Sequence, residues 1–402
     1  MNRVLILLPP FTHRIPEPPP AFYFSLDGCC GAARAGAFST PHGVFHTPAF
    51  MPVGTHGAVK AMTPDQVRAT GAEVVLANTY HLALRPGEAL VAKFGGLHAF
   101  MRWDGPLLTD SGGFQMFSLP KKEIGDRGVR FRNEVDGSSM ELTPERSIEI
   151  QNALGADIIM AFDECTSYPA DEALARTGVR RTLGWIERCL KAHARSADQA
   201  LFGIVQGGVY RHLRESCAQA LVALNLPGYA IGGVSVGEGH ELMCRVTQHC
   251  APLLPEDRPR YLMGVGLPED VLAAIGYGID LFDCVIPTRY ARSGSVFTVR
   301  GRARLTNRKF RRDAYPIDRS CDCAACAGGF SRAYLHHLFA ANEILGAILA
   351  SIHNVRFYQR LVADARDAVL GDRFDAFRRD FLERYGGGAS GSPSADHEQR
   401  AL

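Results

Sequence analysis

From about residue 46 the chain alternates between short, almost wholly apolar runs and longer stretches in which apolar residues recur every three or four positions. The runs cover residues 47–53, 73–77, 106–109, 157–162, 201–205, 229–232, 260–264 and 280–284. Their brevity and lack of polar alternation are what parallel strands buried on both faces require. The intervening stretches carry helix punctuation. Thr63 is placed to cap a helix, with Pro64 at its first position and Gln66 three residues on as a capping-box partner. Thr143-Pro144-Glu145 and Pro268-Glu269-Asp270 open two more. Val179, Leu183, Ile186 and Leu190 repeat at helical spacing and predict a core-facing stripe.

Eight such units predict an α/β protein with a TIM-type (β/α)8 barrel. A doubly wound open sheet is the alternative, and no Gly-x-Gly-x-x-Gly follows the first strand to support it. Residues 115–142 are too long for an ordinary βα loop and predict an inserted hairpin. Residues 286–330 predict a second, irregular insert, followed by a helical part to about residue 385.

Composition narrows the class. The 402 residues are 46% hydrophobic and 21% charged, with 44 Lys+Arg against 42 Asp+Glu, a net charge of +2. This excludes a disordered chain, a collagen and a coiled coil, and argues against a general polyanion-coating protein. No stretch approaches eighteen uninterrupted apolar residues, so no membrane span is expected. The apolar start is cut by Pro9 and Pro10 with no cleavage site after it, and the eleven cysteines are unevenly spread. Both features predict a reducing, cytoplasmic setting.

Several runs end in residues a core would not choose: Asp110 in LLTDSGGFQ, Asp163 in MAFDEC, Gln206 in GIVQGG, Gly233 in IGGVSVGEG, and Asp283 in LFDCVIPTR. One strand-end Asp is as readily a cap for the next helix. Three carboxylates and an amide on one barrel face instead point to acid, base and nucleophile work on a polar ring or sugar. Asp283 lies between Phe282 and Cys284, where an unpaired charge is costly. A carboxylate nucleophile at an anomeric carbon, with a second carboxylate to move protons, accounts for it.

Two further features follow Asp283. Between Arg289 and Arg312 nine basic residues occur without an acidic one: Arg289, Arg292, Arg300, Arg302, Arg304, Arg308, Lys309, Arg311 and Arg312. Beside a sugar-attacking carboxylate, such a run suits phosphate contact better than a merely solvated face. Cys321, Cys323 and Cys326 then crowd into six residues, predicting a structural zinc site whose fourth ligand is His336, His337 or His353. Together these features predict a barrel enzyme acting on a nucleic-acid glycosidic bond.

The stretches TPAFMPVGT, ANTYHL, LLTDSGGFQ, MAFDEC, GIVQGG, YLMGVGLPED, DCVIPTR, CDCAAC and SRAYLHHL resemble those of bacterial-type tRNA-guanine transglycosylase, over residues 24–385. The resemblance implies a zinc-containing TIM-type barrel, usually a homodimer. It implies exchange of the wobble guanine of GUN-anticodon tRNAs (Asp, Asn, His, Tyr) for the 7-deazaguanine base preQ1, in queuosine biosynthesis. Asp283 would be the nucleophile at C1′ of the ribose, and Asp110 the general acid/base. Asp163, Gln206 and the Gly233 backbone would read the base edge, with Ser111, Gly112 and Gly113 completing the pocket and Phe114 and Met263 sandwiching the ring. Gly264, Val265, Gly266, Leu267, Pro268, Glu269 and Asp270, with Thr288, Arg289, Tyr290, Ala291 and Arg292, would hold the anticodon arm. Cys321, Cys323, Cys326 and His353 would bind one structural Zn2+ per subunit.

Val236 and Cys165 bear on substrate size, and the Val implies preQ1 over a bulkier base. Tyr290 and Ser293 stand where bacterial members usually have Asn. One extra residue lengthens the Cys326–His353 spacing. The expected layout is a Pro-rich arm over 1–22, one catalytic domain over 23–385 with a zinc-binding insert at about 286–355, and a flexible tail over 386–402. A non-catalytic tRNA-binding subunit would lack one of Asp110 and Asp283, and a small-nucleoside glycosidase would not need the basic insert.

Overall fold

All eight predicted runs become strands of one closed, all-parallel barrel. In the computed structural model, which describes residues 22–119, 121–133 and 137–387, they are β1 (Ala49–Gly54), β2 (Val75–Ala77), β3 (Leu107–Thr109), β4 (Ile158–Met160), β5 (Ala200–Val205), β6 (Gly228–Ile231), β7 (Arg260–Leu262) and β8 (Leu281–Cys284). Closure is made by β8 on β1, where Asp283 pairs with Met51 and Cys284 with Pro52.

The absence of polar alternation has a direct cause: both faces of each strand are buried, in two different cores. Met51, Val53, Leu76, Leu108, Ile158, Met160, Phe202, Ile204, Ala230, Tyr261 and Leu281 form the inner cluster. Phe50, Val75, Leu107, Ile159, Leu201, Val205, Tyr229, Leu262 and Phe282 pack outward with the helices. Strand residues two apart share a face. The inward set therefore continues from Leu108 to Asp110, from Ile204 to Gln206, from Tyr261 to Met263 and from Leu281 to Asp283, which aims these residues at the C-terminal mouth.

The opposite mouth is plugged by an antiparallel sheet of Tyr23–Cys30, Ala33–Thr40 and Gly43–Thr47. Its Phe24, Phe38 and Phe45 complete the inner cluster. Arg34 clasps the buried Asp280 through Nε and Nη2 at 3.1 and 2.9 Å. His42 and His98 hydrogen-bond to Asp157 on the same side.

The predicted helix starts hold: Thr63 makes a full capping box, Thr143 caps Pro144–Leu154, and Pro268 begins Pro268–Gly276. The stripe on Glu172–Ala192 is displaced from the one expected. Val179 and Ile186 are buried, but Leu190 is exposed, because the buried face runs through Thr182, Trp185 and Cys189 and leaves Leu190 at its edge.

The insert after β3 is a three-stranded antiparallel sheet rather than a hairpin: Lys122–Gly125, Gly128–Arg132 and Ser139–Leu142. A lone hairpin is marginal in water; here the third strand helps bury Val129, Phe131 and Leu142. Asp126 ties this sheet to the barrel through Arg180 and Arg181. After β8 come the helix Ile286–Arg292, a hairpin of Ser295–Thr298 and Gly301–Arg304, short helices, and the long helix Ile344–Leu370. The predicted arm up to residue 21 and tail from residue 388 lie outside the described residues. Among the described residues no helix is long and apolar enough to cross a membrane.

Candidate active site and metal centre

Asp283 projects from the end of β8, and its Oδ1 accepts hydrogen bonds from the Tyr261 hydroxyl at 2.6 Å and the Gly264 amide at 2.8 Å. Among the described residues Oδ2 accepts none. Burial raises the Asp283 pKa above the ordinary carboxylate value, and the two donors oppose that shift. The result is an oriented carboxylate with one oxygen clamped and the other unbonded.

Asp110, at the end of β3, is held by more donors. Its Oδ1 accepts from the amides of Thr79 at 2.8 Å and Gly112 at 3.2 Å. Its Oδ2 accepts from the Asn78 and Gln115 side-chain amides. Burial nevertheless pushes its pKa up to about 7, with the charge of Asp283 adding to the rise. A carboxyl that titrates near neutrality and feels a second carboxylate is suited to pass a proton in either direction.

Asp163 forms the other half of the site. Its Oδ2 accepts from Gln206 Nε2 at 2.6 Å and its Oδ1 from Ser111 Oγ at 3.2 Å. Burial pushes it up to about 6 against these two donors. Gln206 Oε1 is buried with no hydrogen-bond partner among the described residues. An orphaned buried acceptor is costly, and a ligand donor would satisfy it. Gly233 lies against this amide at a φ of +63°, and a Cβ there would come within 2.3 Å of Gln206 Oε1. Only glycine lets the β6 loop approach so closely.

The remaining predicted pocket residues are placed as follows. Ser111 Oγ also accepts from the Gly113 amide at 3.1 Å. Phe114 is 46% exposed near the start of the short helix Gly113–Ser118, and Met263 packs partly buried against the inner cluster. Val236 lines a narrow cavity of about 20 Å³ with Gly233, Val234, Glu238 and Tyr168. Burial pushes the Cys165 thiol up to about 12, so it is neutral.

The predicted anticodon stretch divides. Gly264, Arg289 and Arg292 are exposed, whereas Val265, Pro268, Thr288 and Ala291 are buried and support the loop from below. The Gly266 carbonyl is held by the Tyr358 hydroxyl, and Asp270 pairs with His240. Tyr290 stacks on Phe297 at 5.9 Å and carries Arg302 over its ring at 5.1 Å. All nine residues of the basic segment are exposed.

Asn78, Thr79, Gln115 and Tyr261 escape the sequence reading. Tyr261 offers a signal, a hydroxyl inside an apolar strand, whereas Asn78 reads as an ordinary N-cap. It is one: its Oδ1 accepts from the His81 amide while its Nδ2 donates to Asp110.

Among the three candidate histidines, His353 joins the cysteines. The ligand atoms of Cys321, Cys323, Cys326 and His353 all lie within 4.8 Å of one another. His353 Nδ1 is 3.6 Å from Cys323 Sγ and 3.3 Å from Cys326 Sγ. These are about the edge lengths of a tetrahedron around an ion bound at ~2.0–2.3 Å. His353 Nε2 meets the Phe297 carbonyl at 2.6 Å, which leaves Nδ1 as the ligand nitrogen. The cluster can therefore hold a metal ion with a closed set of donors. His336 instead bonds the Leu305 carbonyl, and His337 is exposed beside Tyr334. The longer Cys326–His353 spacing does not separate the ligands.

Comparison with known proteins places this site in a family. Residues 29–387 match the family model described as Queuine tRNA-ribosyltransferase. A Queuine tRNA-ribosyltransferase of Synechococcus elongatus is 57% identical over 357 residues, covering 88% of this chain and 93% of that one. Those of Desulforamulus reducens and Bacillus subtilis are each 53% identical, covering 89% and 88% of this chain and 96% and 93% of theirs. With its closed barrel, its three carboxylates at one mouth and its Cys3His cluster, the chain belongs to the queuine tRNA-ribosyltransferase, or tRNA-guanine transglycosylase, family of enzymes.

Proposed function

We propose that the protein exchanges the wobble guanine of GUN-anticodon tRNAs (Asp, Asn, His, Tyr) for preQ1 by double displacement. The observation that carries this reading is the contrast between two carboxylates at one mouth. Asp283 has an oxygen that accepts no hydrogen bond among the described residues, and Asp110 is pushed up to about 7 beside it. In the first displacement Asp283 attacks C1′ of the ribose as the C1′–N9 bond breaks, and guanine leaves with a proton supplied by Asp110. In the second, preQ1 gives a ring N–H proton to Asp110 and attacks C1′, expelling the Asp283 carboxylate. Two inversions give net retention, and the covalent pause allows the bases to exchange.

Asp163 would accept from guanine N1–H and its exocyclic amine. The second N–H of Gln206 Nε2 and the Gly233 amide would meet the purine oxygen. Phe114 and Met263 would stack on the flipped base. The tightness of the cavity beside Val236 supports the small aminomethyl group of preQ1 over a bulkier substituent. The basic segment would hold the anticodon arm. The Cys3His set supports a structural Zn2+, one per subunit, in an insert at about 286–355 of a catalytic domain spanning 23–385. A cytoplasmic homodimer is the assembly the family resemblance supports.

The test follows labelled guanine in a GUN-anticodon tRNA given preQ1. Wild type releases the label and Asp283→Ala does not; unchanged exchange in the variant would remove Asp283 from its role.

A further inference from the structure

Arg214 lies in the first turn of the helix Arg211–Val222 that follows β5, and it is 1% exposed. A guanidinium this deep ordinarily pairs with a carboxylate. Among the described residues Arg214 forms no ion pair, and its donors are spent on backbone carbonyls alone. Nε donates to Gly208 at 2.9 Å, Nη1 to Val205 at 2.8 Å and Gly232 at 2.7 Å, and Nη2 to Gly233 at 3.1 Å. Four bonds thus staple the loop after β5, which carries Gln206, to the loop after β6, which carries Gly233.

A trans peptide points its C=O and N–H in opposite directions. Because the Gly232 carbonyl is drawn to Arg214, the Gly233 N–H of the same peptide unit faces away from the guanidinium. On that side its dipole weakly favours the Cys165 thiolate, and a purine oxygen would be the better acceptor. Hydrogen bonds in series polarise one another, and more so where the dielectric is low. A cation on the carbonyl end of this peptide therefore strengthens the donor at its other end.

We infer that Arg214 is a positioning residue for the base-reading edge: it fixes and polarises the Gly232–Gly233 peptide so that the Gly233 N–H meets the 6-oxo group as negative charge moves onto the departing base. This rests on the proposed reading of the base by Gly233. The role differs from a structural one in a measurable way, because it acts on the 6-oxo group and leaves tRNA capture alone.

The experiment uses full-length wild type, Arg214→Lys and Arg214→Met. It measures kcat and KM for guanine and preQ1, tRNA affinity by filter binding, and competition by 2-aminopurine, which lacks the 6-oxo group. Arg214→Met is expected to lower kcat/KM for the base about 100-fold, the scale of a lost oxyanion donor. Its tRNA affinity should stay within about twofold, and its preference for guanine over 2-aminopurine should shrink about tenfold. Arg214→Lys, which keeps the charge without the fork, should recover part of each loss. Retention of kcat/KM within about threefold in Arg214→Met, or equal losses in base and tRNA terms, would overturn the inference. If Arg214→Met lacks a cooperative thermal transition, Arg214→Lys is judged by the same criteria. Absence of any preference in wild type would instead overturn the Gly233 reading on which the inference rests.

Discussion

The Tyr261 hydroxyl, on β7, donates a 2.6 Å hydrogen bond to Asp283 on β8, and it does so to the same oxygen that the Gly264 amide holds. The two residues face inward on adjacent strands, with Tyr261 paired to Leu281 two residues before Asp283, so the clamp follows from strand register. Replacing Tyr261 by Phe removes a donor that favours the ionised carboxylate. The Asp283 pKa, already raised by burial, should rise further, and the acid limb of the kcat/KM–pH profile should move to higher pH. A hydrogen bond to a charged group is worth about 1.5–3 kcal/mol, so kcat should fall about 10- to 100-fold. An unmoved acid limb would count against the clamp.

Asp163 carries its own pH signature. Burial raises it to about 6, so it is ionised above that pH and protonated below it. Only the ionised form accepts two donors from guanine. Affinity for free guanine should therefore be level above about pH 7 and weaken as the pH falls through 6. Calorimetric titration between pH 5 and 8 checks this, and a flat profile would contradict it. Asp163→Asn should bind guanine weakly at every pH.

Gly233→Ala would place a Cβ 2.3 Å from Gln206 Oε1 at a φ of +63°. Either Gln206 swings away or the loop shifts, and both disturb the contact to Asp163. We expect KM for the base to rise at least about tenfold, with tRNA affinity unchanged and a loss of stability near 1 kcal/mol from the backbone conformation. Steady-state kinetics with a thermal melt separate the two effects.

Metal analysis addresses the Cys3His cluster. Wild type should carry about one zinc per chain, and Cys323→Ser or His353→Ala should lose most of it and melt at a lower temperature. Full retention in both variants would count against the cluster as a metal site. His336→Ala, which removes only a bond to the Leu305 carbonyl, should keep its metal.

Arg292, Arg300, Arg304, Arg308, Arg311 and Arg312 enter no ion pair among the described residues. If they meet tRNA phosphates, affinity should fall steeply with salt. Arg304→Ala and Arg308→Ala together should lessen the slope of log Kd against log salt by about 1–2. Exchange at saturating tRNA should stay near the wild-type rate.

Much of this architecture was legible because it is written in short-range pattern. Eight apolar runs without alternation can only be strands covered on both sides, and each run became a barrel strand. Asp110, Gln206 and Asp283 could be picked out because a polar side chain at the end of such a run contradicts its surroundings. The third strand of the insert is hard to read, since the polar–apolar alternation of Ser139, Met140, Glu141 and Leu142 is too short to mark a strand until it pairs with Gly128–Arg132. Leu190 falls outside the core because apolar spacing fits more than one helix face, and the face that packs runs through Thr182, Trp185 and Cys189.

By itself the sequence determined the number of barrel strands, the carboxylates at their ends, the basic segment and the three zinc-type cysteines. These depend on spacing along the chain, which the local geometry of strands and turns converts directly into position. The tertiary structure decided what depends on meetings between distant residues. It chose His353 over His336 and His337, set Tyr261 on Asp283 and Asn78 on Asp110, and turned the Gly232 carbonyl onto Arg214. No local periodicity encodes those contacts. They exist because barrel closure brings the strand ends together within a few ångströms, in surroundings dry enough that each buried polar group must find a partner.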